Sequence, residues 1–243
     1  MSNASPDIKT SSRWFSGLNI IKSLLYMAYS TVLLFPILSN PLVADDFAAP
    51  FYQFYSEGFG ITPALKYGWN NAYGGVNFRI LGMPFGSVTH FLYVDLAGRF
   101  QIPISTSYFI TKLVLYLGIG IVSSAVCGEL LRLAGKTLSR WSVLFVSSTV
   151  IFVSLQNHGM WSNDPVSGYP LAGFGSVILG LSVLAYSLKS VRLGITRSRI
   201  AGLTILTTVS VLYYELNVGI VLGVAPLLAL AALRSAPDVS LSL

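Results

Sequence analysis

Long apolar runs alternate with polar, turn-rich stretches along the chain: Leu18–Ser39, Tyr108–Leu131, Trp141–Leu155, Leu171–Leu188 and Ile200–Leu233. A helix needs about 20 residues to cross a hydrocarbon core, so the first, second and fourth runs predict membrane-spanning helices. Trp141–Leu155 is shorter, and Gln156 and Asn157 extend it into the headgroup region. The last run holds 34 residues. As one helix it would reach about 51 Å at about 1.5 Å per residue, too far for a single crossing. Its one acidic residue, Glu215, lies near the middle, in YYELN. The pattern therefore predicts two helices, Ile200–Tyr214 and Leu216–Leu233, with a turn between them, and about six spans in all.

The stretch between the first two runs, residues 40–107, is patterned rather than featureless. It opens with NPLVADDFAAPFYQFYSEG, in which Phe51, Phe54 and Tyr55 recur at helical spacing. That spacing predicts a short helix in the membrane interface, apolar side down. Pro63, Gly74, Gly75, Gly82, Pro84, Gly86 and Pro103 divide the remainder into short pieces. Within it FGSVTHFLYVDLAGRF, Phe85–Phe100, reads as a second interfacial or re-entrant helix. The expectation is an all-α integral membrane protein with a single transmembrane domain, residues 18–233. Tails 1–17 and 234–243 flank it, and a long external loop carries interfacial helices.

Composition agrees. Charged residues make up 10% of the chain and mean hydropathy is +0.69, whereas a soluble domain carries about 25% charged residues. So little charge cannot cover a water-facing surface, which leaves lipid as the solvent. The net charge of +6 is not a nucleic-acid signature, because no basic patch is interleaved with stacking aromatics. Basic cytoplasmic loops produce it instead. With the N-terminus cytoplasmic, in a bacterial-type plasma membrane, eleven of the fifteen basic residues fall on the inner side. Lys66, Arg79, Arg99 and Lys112 fall in or beside the external loop, which exceeds the roughly 60 residues over which the positive-inside bias operates. The first apolar run is longer than the roughly 7–15 residues of a signal-peptide core and is expected to stay as an anchor. One cysteine, Cys127, excludes an intrachain disulfide and a cysteine-based metal site.

The carboxylates sort by face: Asp45, Asp46, Glu57, Asp95, Asp164 and Glu215 all fall outside. Asp45 and Asp46 are either a helix start, where acids complement the dipole, or a general base or divalent-cation ligand (Mg or Mn) held at the membrane surface. Glu215 is either a solvated turn residue or a carboxylate at the mouth of a cavity, flanked by Tyr213 and Tyr214. In QNHGMWSNDPVSGYP, His158, Trp161, Asn163 and Asp164 form an ordinary turn-rich loop or a sugar site with a stacking face and hydrogen-bonding partners. NNAYGGVNFR can hold a phosphate through backbone N–H groups and Arg79. Lys112 either assists there or extends its ammonium outward from the second span.

One span followed by an acidic pair at the start of a long external loop, and later YYELNVGIVLG after an apolar run, resembles the GT-C glycosyltransferases. Within them the chain looks like the bacterial membrane glucosyltransferases that modify surface polysaccharides. The motifs that carry the resemblance are Asp45–Asp46 and Tyr214–Glu215. FAAPF stands where those enzymes often have a basic residue, and they usually have eight or more spans, so a shortened or split member is the form expected. The resemblance implies transfer of a sugar from a polyprenyl-phosphate donor to a cell-envelope glycan or lipid acceptor on the outer face. Asp45 or Asp46 would be the base, Glu215 would orient the acceptor or the base, and Arg79, Lys112, His158, Trp161, Asp164 and Tyr214 would bind substrate. No cofactor is required beyond an optional divalent cation. The competing expectations are a non-catalytic transporter or flippase subunit, and an inactive fragment that acts with a partner subunit.

Overall fold

The structure is a computed structural model that describes residues 17–39, 44–74, 79–156, 170–214 and 217–224, and these form helices and connecting turns with no strand among them. In chain order the helices are α1 (Gly17–Leu38), α2 (Ala44–Glu57), α3 (Ile61–Gly74), α4 (Gly82–Phe100), α5 (Ile104–Leu133), α6 (Arg140–Gln156), α7 (Pro170–Leu193) and α8 (Arg197–Tyr213). Residues 217–224 continue as a further helical segment. Among the described residues, three helices are long and apolar enough to cross a membrane: Asn19–Leu38, Ile104–Leu133 and Gly175–Leu193. Arg140–Leu155 is apolar but shorter.

Side-chain contacts fix the direction of each helix. Gly118 of α5 faces Ile178 of α7, and further along Glu129 pairs with Arg192, so α5 and α7 run parallel. Tyr26 of α1 meets Ser148 of α6, and Leu34 and Leu38 meet Phe152, so α1 and α6 also run parallel. Both oppose α5, since Tyr116, near the α5 start, packs at the Phe152 end. Tyr213 lies over Gly175 and Tyr186 over Gly202, so α8 opposes α7. One end of the bundle therefore gathers the end of α1, the starts of α5 and α7 and the end of α8, and helices α2–α4 lie there. We call it the loop end. The opposite, arginine end holds Arg132, Lys136, Arg140, Lys189, Arg192, Arg197 and Arg199, with Glu129 as the one acid among the described residues there.

The core toward the loop end is Leu34, Ile37, Leu38, Tyr116, Ile119 and Phe152, all nearly inaccessible. Glycine makes the approach possible: a Cβ on Gly120 would collide with the Tyr26 hydroxyl and the Ser148 Oγ. The Tyr26 hydroxyl hydrogen-bonds Ser148 at 2.8 Å across α1 and α6, the polar glue that helices use where hydrophobicity alone gives no driving force. At the arginine end, α5 stops at Gly135, whose φ of 72° lets the Lys136 amide return to the Leu131 carbonyl at 2.8 Å. Gly194, also at positive φ (82°), follows the end of α7, and the Arg199 guanidinium donates to the Leu193 carbonyl at 2.9 Å. Thr196 then caps α8 by accepting from the Arg199 amide.

The long last run divides where its lone acid predicted. Helix α8 ends at Tyr213; Tyr214 follows in extended conformation (φ −154°, ψ 125°), and the Asn217 amide donates to the Tyr214 carbonyl at 3.0 Å. Asn217 secures the turn. Its side chain donates to the Ser210 carbonyl and accepts from the Ser176 hydroxyl, each at 3.0 Å. Ile220 then packs on Gly180, so residues 217–224 descend α7 antiparallel to α8. In the loop the sequence reading needs one correction. Pro63 and Pro84 begin helices α3 and α4 rather than breaking the chain, because a proline in a first turn sacrifices an N–H that has no helical partner there. Helix α3, Ile61–Gly74, was not anticipated.

Candidate functional site

At the loop end, three elements converge on the end of α8. The Leu81 amide donates to the Leu212 carbonyl at 2.9 Å, outside any helical ladder. Gly82, the first residue of α4, sits so close to the Tyr213 carbonyl that a Cβ would collide with it. Gly68 of α3 is just as close to α4, with its virtual Cβ 2.5 Å from Pro84 Cα and 2.6 Å from the Met83 carbonyl oxygen. Phe85 adds a ring contact to Tyr213, centroids 6.2 Å apart, and the Tyr213 hydroxyl lies over Gly175 of α7. Two glycines lacking side chains thus let backbone meet backbone at this junction.

Arg79 is the charged residue held there. Its Nη2 donates to the Tyr214 hydroxyl at 3.0 Å, and the guanidinium carbon lies 4.0 Å from the Tyr214 ring centroid. The contact joins residues 135 positions apart. It places the loop's arginine on the residue directly before Glu215. A half-buried guanidinium with an aromatic support is a preorganised group for a phosphate or carboxylate.

The other loop cations are engaged locally. Lys66 pairs with Glu57 at 2.5 Å, and Asn70 donates to the same carboxylate at 3.2 Å. Arg99 pairs with Asp95 at 2.5 Å, one helical turn apart on α4. Lys112 is 3% exposed. Its ammonium donates to the Ile37 carbonyl at 3.2 Å and lies 4.4 Å from the Tyr108 ring centroid. It therefore closes the last turn of α1 rather than extending outward, since the terminal carbonyls of a helix lack partners of their own.

Helix α2 begins at Ala44, which places Asp45 and Asp46 in its first turn, where acids complement the helix dipole. The side chains of that turn lie outside the described residues, as do His158, Trp161, Asp164 and Glu215. Downstream, α2 turns its aromatics outward: Phe51, Tyr52 and Tyr55 are exposed, Tyr55 at 95%. Trp69 and Tyr73 of α3 form a ring pair with centroids 4.8 Å apart and are also exposed. This outward aromatic face suits a membrane interface. Gln53 is fully buried, and neither of its amide atoms has a hydrogen-bond partner among the described residues. Gln53 and Asn217 both escaped the sequence reading. The only available signal was a lone amide inside an aromatic or apolar run.

No group of three or more His, Cys, Asp or Glu stands together among the described residues. Compared with protein-family models, curated proteins and solved structures, the chain matches none.

Proposed function

We propose that the chain is a membrane-embedded glycosyltransferase that takes a sugar from a polyprenyl-phosphate donor and works at the loop end of the bundle. The observation that carries the reading is the Arg79–Tyr214 contact. It brings the arginine of the long loop to the Tyr–Glu turn, on the same end of the molecule as the helix that starts with Asp45 and Asp46. In this reading α6, α8 and the run Leu216–Leu233, of which the structure describes residues 217–224, also cross the membrane, making six passes with the arginine end in the cytoplasm. The alternating helix directions support that count, and the basic arginine end supports that orientation.

The chemistry follows from these placements. The lipid tail lies along the exposed aromatic face of α2 and α3, and the phosphate reaches Arg79. Asp45 or Asp46 takes the proton of the acceptor hydroxyl. The acceptor oxygen attacks the anomeric carbon, and the bond from that carbon to the phosphate oxygen breaks. The electron pair leaves with polyprenyl phosphate, whose charge the guanidinium stabilises. General-base help is worth about 10²–10⁴-fold, so positioning and leaving-group stabilisation must supply the rest.

The test is complementation of a deletion strain with wild type, Asp45→Asn or Asp46→Asn, followed by analysis of its glycolipids and surface polysaccharide. One of the two variants is expected to lose the transferred sugar by at least about 100-fold while accumulating normally in the membrane. Full transfer by both variants would overturn the reading.

A further inference from the structure

Lys112 carries a formal charge into a buried layer of the bundle. It is 3% exposed, and the groups around its ammonium include the Ile37 carbonyl at 3.2 Å and the Tyr108 ring, with its centroid 4.4 Å away. Tyr108 is itself buried and meets the buried Tyr93 of α4 edge to face, centroids 5.5 Å apart. A carbonyl dipole and a ring face offset only part of what an ammonium loses on leaving water. A buried charge is held by an opposite one.

Charge balance narrows the choice of that anion. Of the six carboxylates expected at the loop end, Glu57 is held by Lys66 and Asp95 by Arg99, both at 2.5 Å. Arg79 stands on Tyr214, the neighbour of Glu215 in the chain. Asp45, Asp46 and Asp164 remain. The first two follow directly from the helix end that Lys112 touches. Five residues link Leu38 to Ala44, a span of at most about 20 Å.

Helical register separates these two acids. Residues seven apart stand two turns apart on nearly one line along a helix. Position 46 is in line with Gln53, which is 0% exposed, and close to the line of Pro50, also buried. Glu57, one turn beyond Gln53 on the same side, bonds Lys66 and Asn70 of α3, so this side of α2 faces the bundle. Position 45 is instead in line with Tyr52, which is 68% exposed.

We propose that Asp46 is the counter-ion of Lys112, and that this pair fixes the start of α2 against the end of α1. Asp45 is left on the outward line. Under the transferase reading, on which this consequence alone rests, Asp45 is the base that takes the acceptor proton and Asp46 is a positioning residue.

The experiment is a double-mutant cycle on the full chain in one detergent, read as the thermal midpoint and so independent of any activity. Asp46→Asn leaves the ammonium buried without its anion and should lower the midpoint by about 6–20 °C. Adding Lys112→Met removes the stranded charge at similar volume and should restore at least half of that loss. Asp45→Asn should move the midpoint by no more than about 2 °C, with no recovery on adding Lys112→Met. Additive effects of Asp46→Asn and Lys112→Met overturn the proposal, as does coupling of Lys112 to Asp45, Asp164 or Glu215 instead. If Asp46→Asn alone does not accumulate, Lys112→Met is compared with the double variant, and a lower midpoint for the double variant overturns the pair. Sugar transfer is read separately. Its loss in Asp45→Asn at an unchanged midpoint supports the assignment of the base, whereas full transfer there overturns that assignment and leaves the ion pair standing.

Discussion

The junction of α4 with α8 allows a prediction with a built-in control. Replacing Gly82 with Ala puts a methyl group onto the Tyr213 carbonyl oxygen, far inside the 3.0 Å below which Cβ contacts essentially never occur. The obstacle is backbone on both sides, so no side chain can swing away, and α4 must recede by roughly 1 Å. Such overpacking costs about 1–3 kcal/mol. The displacement also stretches the 2.9 Å bond from the Leu81 amide to the Leu212 carbonyl, for about 0.5–1.5 kcal/mol more. Ala gains back about 1 kcal/mol of helix propensity. The net loss is about 0.5–3.5 kcal/mol, a fall of about 1–14 °C at about 2–4 °C per kcal/mol for a chain of this size. Gly86, one turn later on the same helix, has nothing within 4 Å of its virtual Cβ. Gly86→Ala should therefore leave the midpoint unchanged or raise it slightly. The assay is the thermal midpoint in one detergent for wild type and both variants. If Gly82→Ala melts with Gly86→Ala, α4 does not begin against α8, and the placement of Arg79 on Tyr214 loses its support.

Two further outcomes are expected. Glu129→Ala strands Arg192, and partly Arg132, beside an apolar interface; because both arginines can turn toward headgroups, the loss is about 1–3 kcal/mol rather than the full cost of an unpaired buried charge, measured as a lower thermal midpoint, with Glu129→Gln closer to wild type. Gln53→Met removes two buried amide atoms that lack partners at similar volume and should be neutral or stabilising by up to about 2 kcal/mol, so a marked fall in midpoint would mean that the amide meets a partner.

The parts of the fold that depend on hydrophobic length were legible in the sequence. Leu18–Ser39, Tyr108–Leu131 and Leu171–Leu188 anticipate α1, α5 and α7 because a run of that length and composition has one stable use in lipid. The division of the last run was legible for a related reason: Glu215 is the one residue in it that lipid would not tolerate at depth. Helix α3 was hidden because Pro63 reads as a breaker unless its position in the turn is known. The site was less accessible. Arg79 and Tyr214 were each suspected, but their contact depends on how α4 seats on α8, and that depends on two glycines whose significance is tertiary. Lys112 illustrates the opposite case. A lysine near the start of a span reads as one that reaches outward, but the Ile37 carbonyl at the end of α1 offers it a closer partner.

The same glycine logic bears on whether a solute could pass through the bundle. Substrate sites of transporters lie at mid-depth, where broken helices line a cavity. Here Gly128, Gly219 and Gly223 face open space, while four other glycines are filled by neighbours: Gly118 by Ile178, Gly120 by Tyr26 and Phe152, Gly180 by Ile220 and Gly202 by Tyr186. Each of these four pairs a missing side chain with a large one from the facing helix, which is how helices achieve close approach without a void. The break in the α8 region falls at Tyr214, on the loop end beside Arg79, rather than at the level of that packing. Irregular backbone within a membrane protein collects where polar groups are needed, and here that position is the face that carries Asp45, Asp46 and the exposed aromatics. For the transferase proposed above, this puts the reacting groups at an end face of the bundle rather than among the packed glycines.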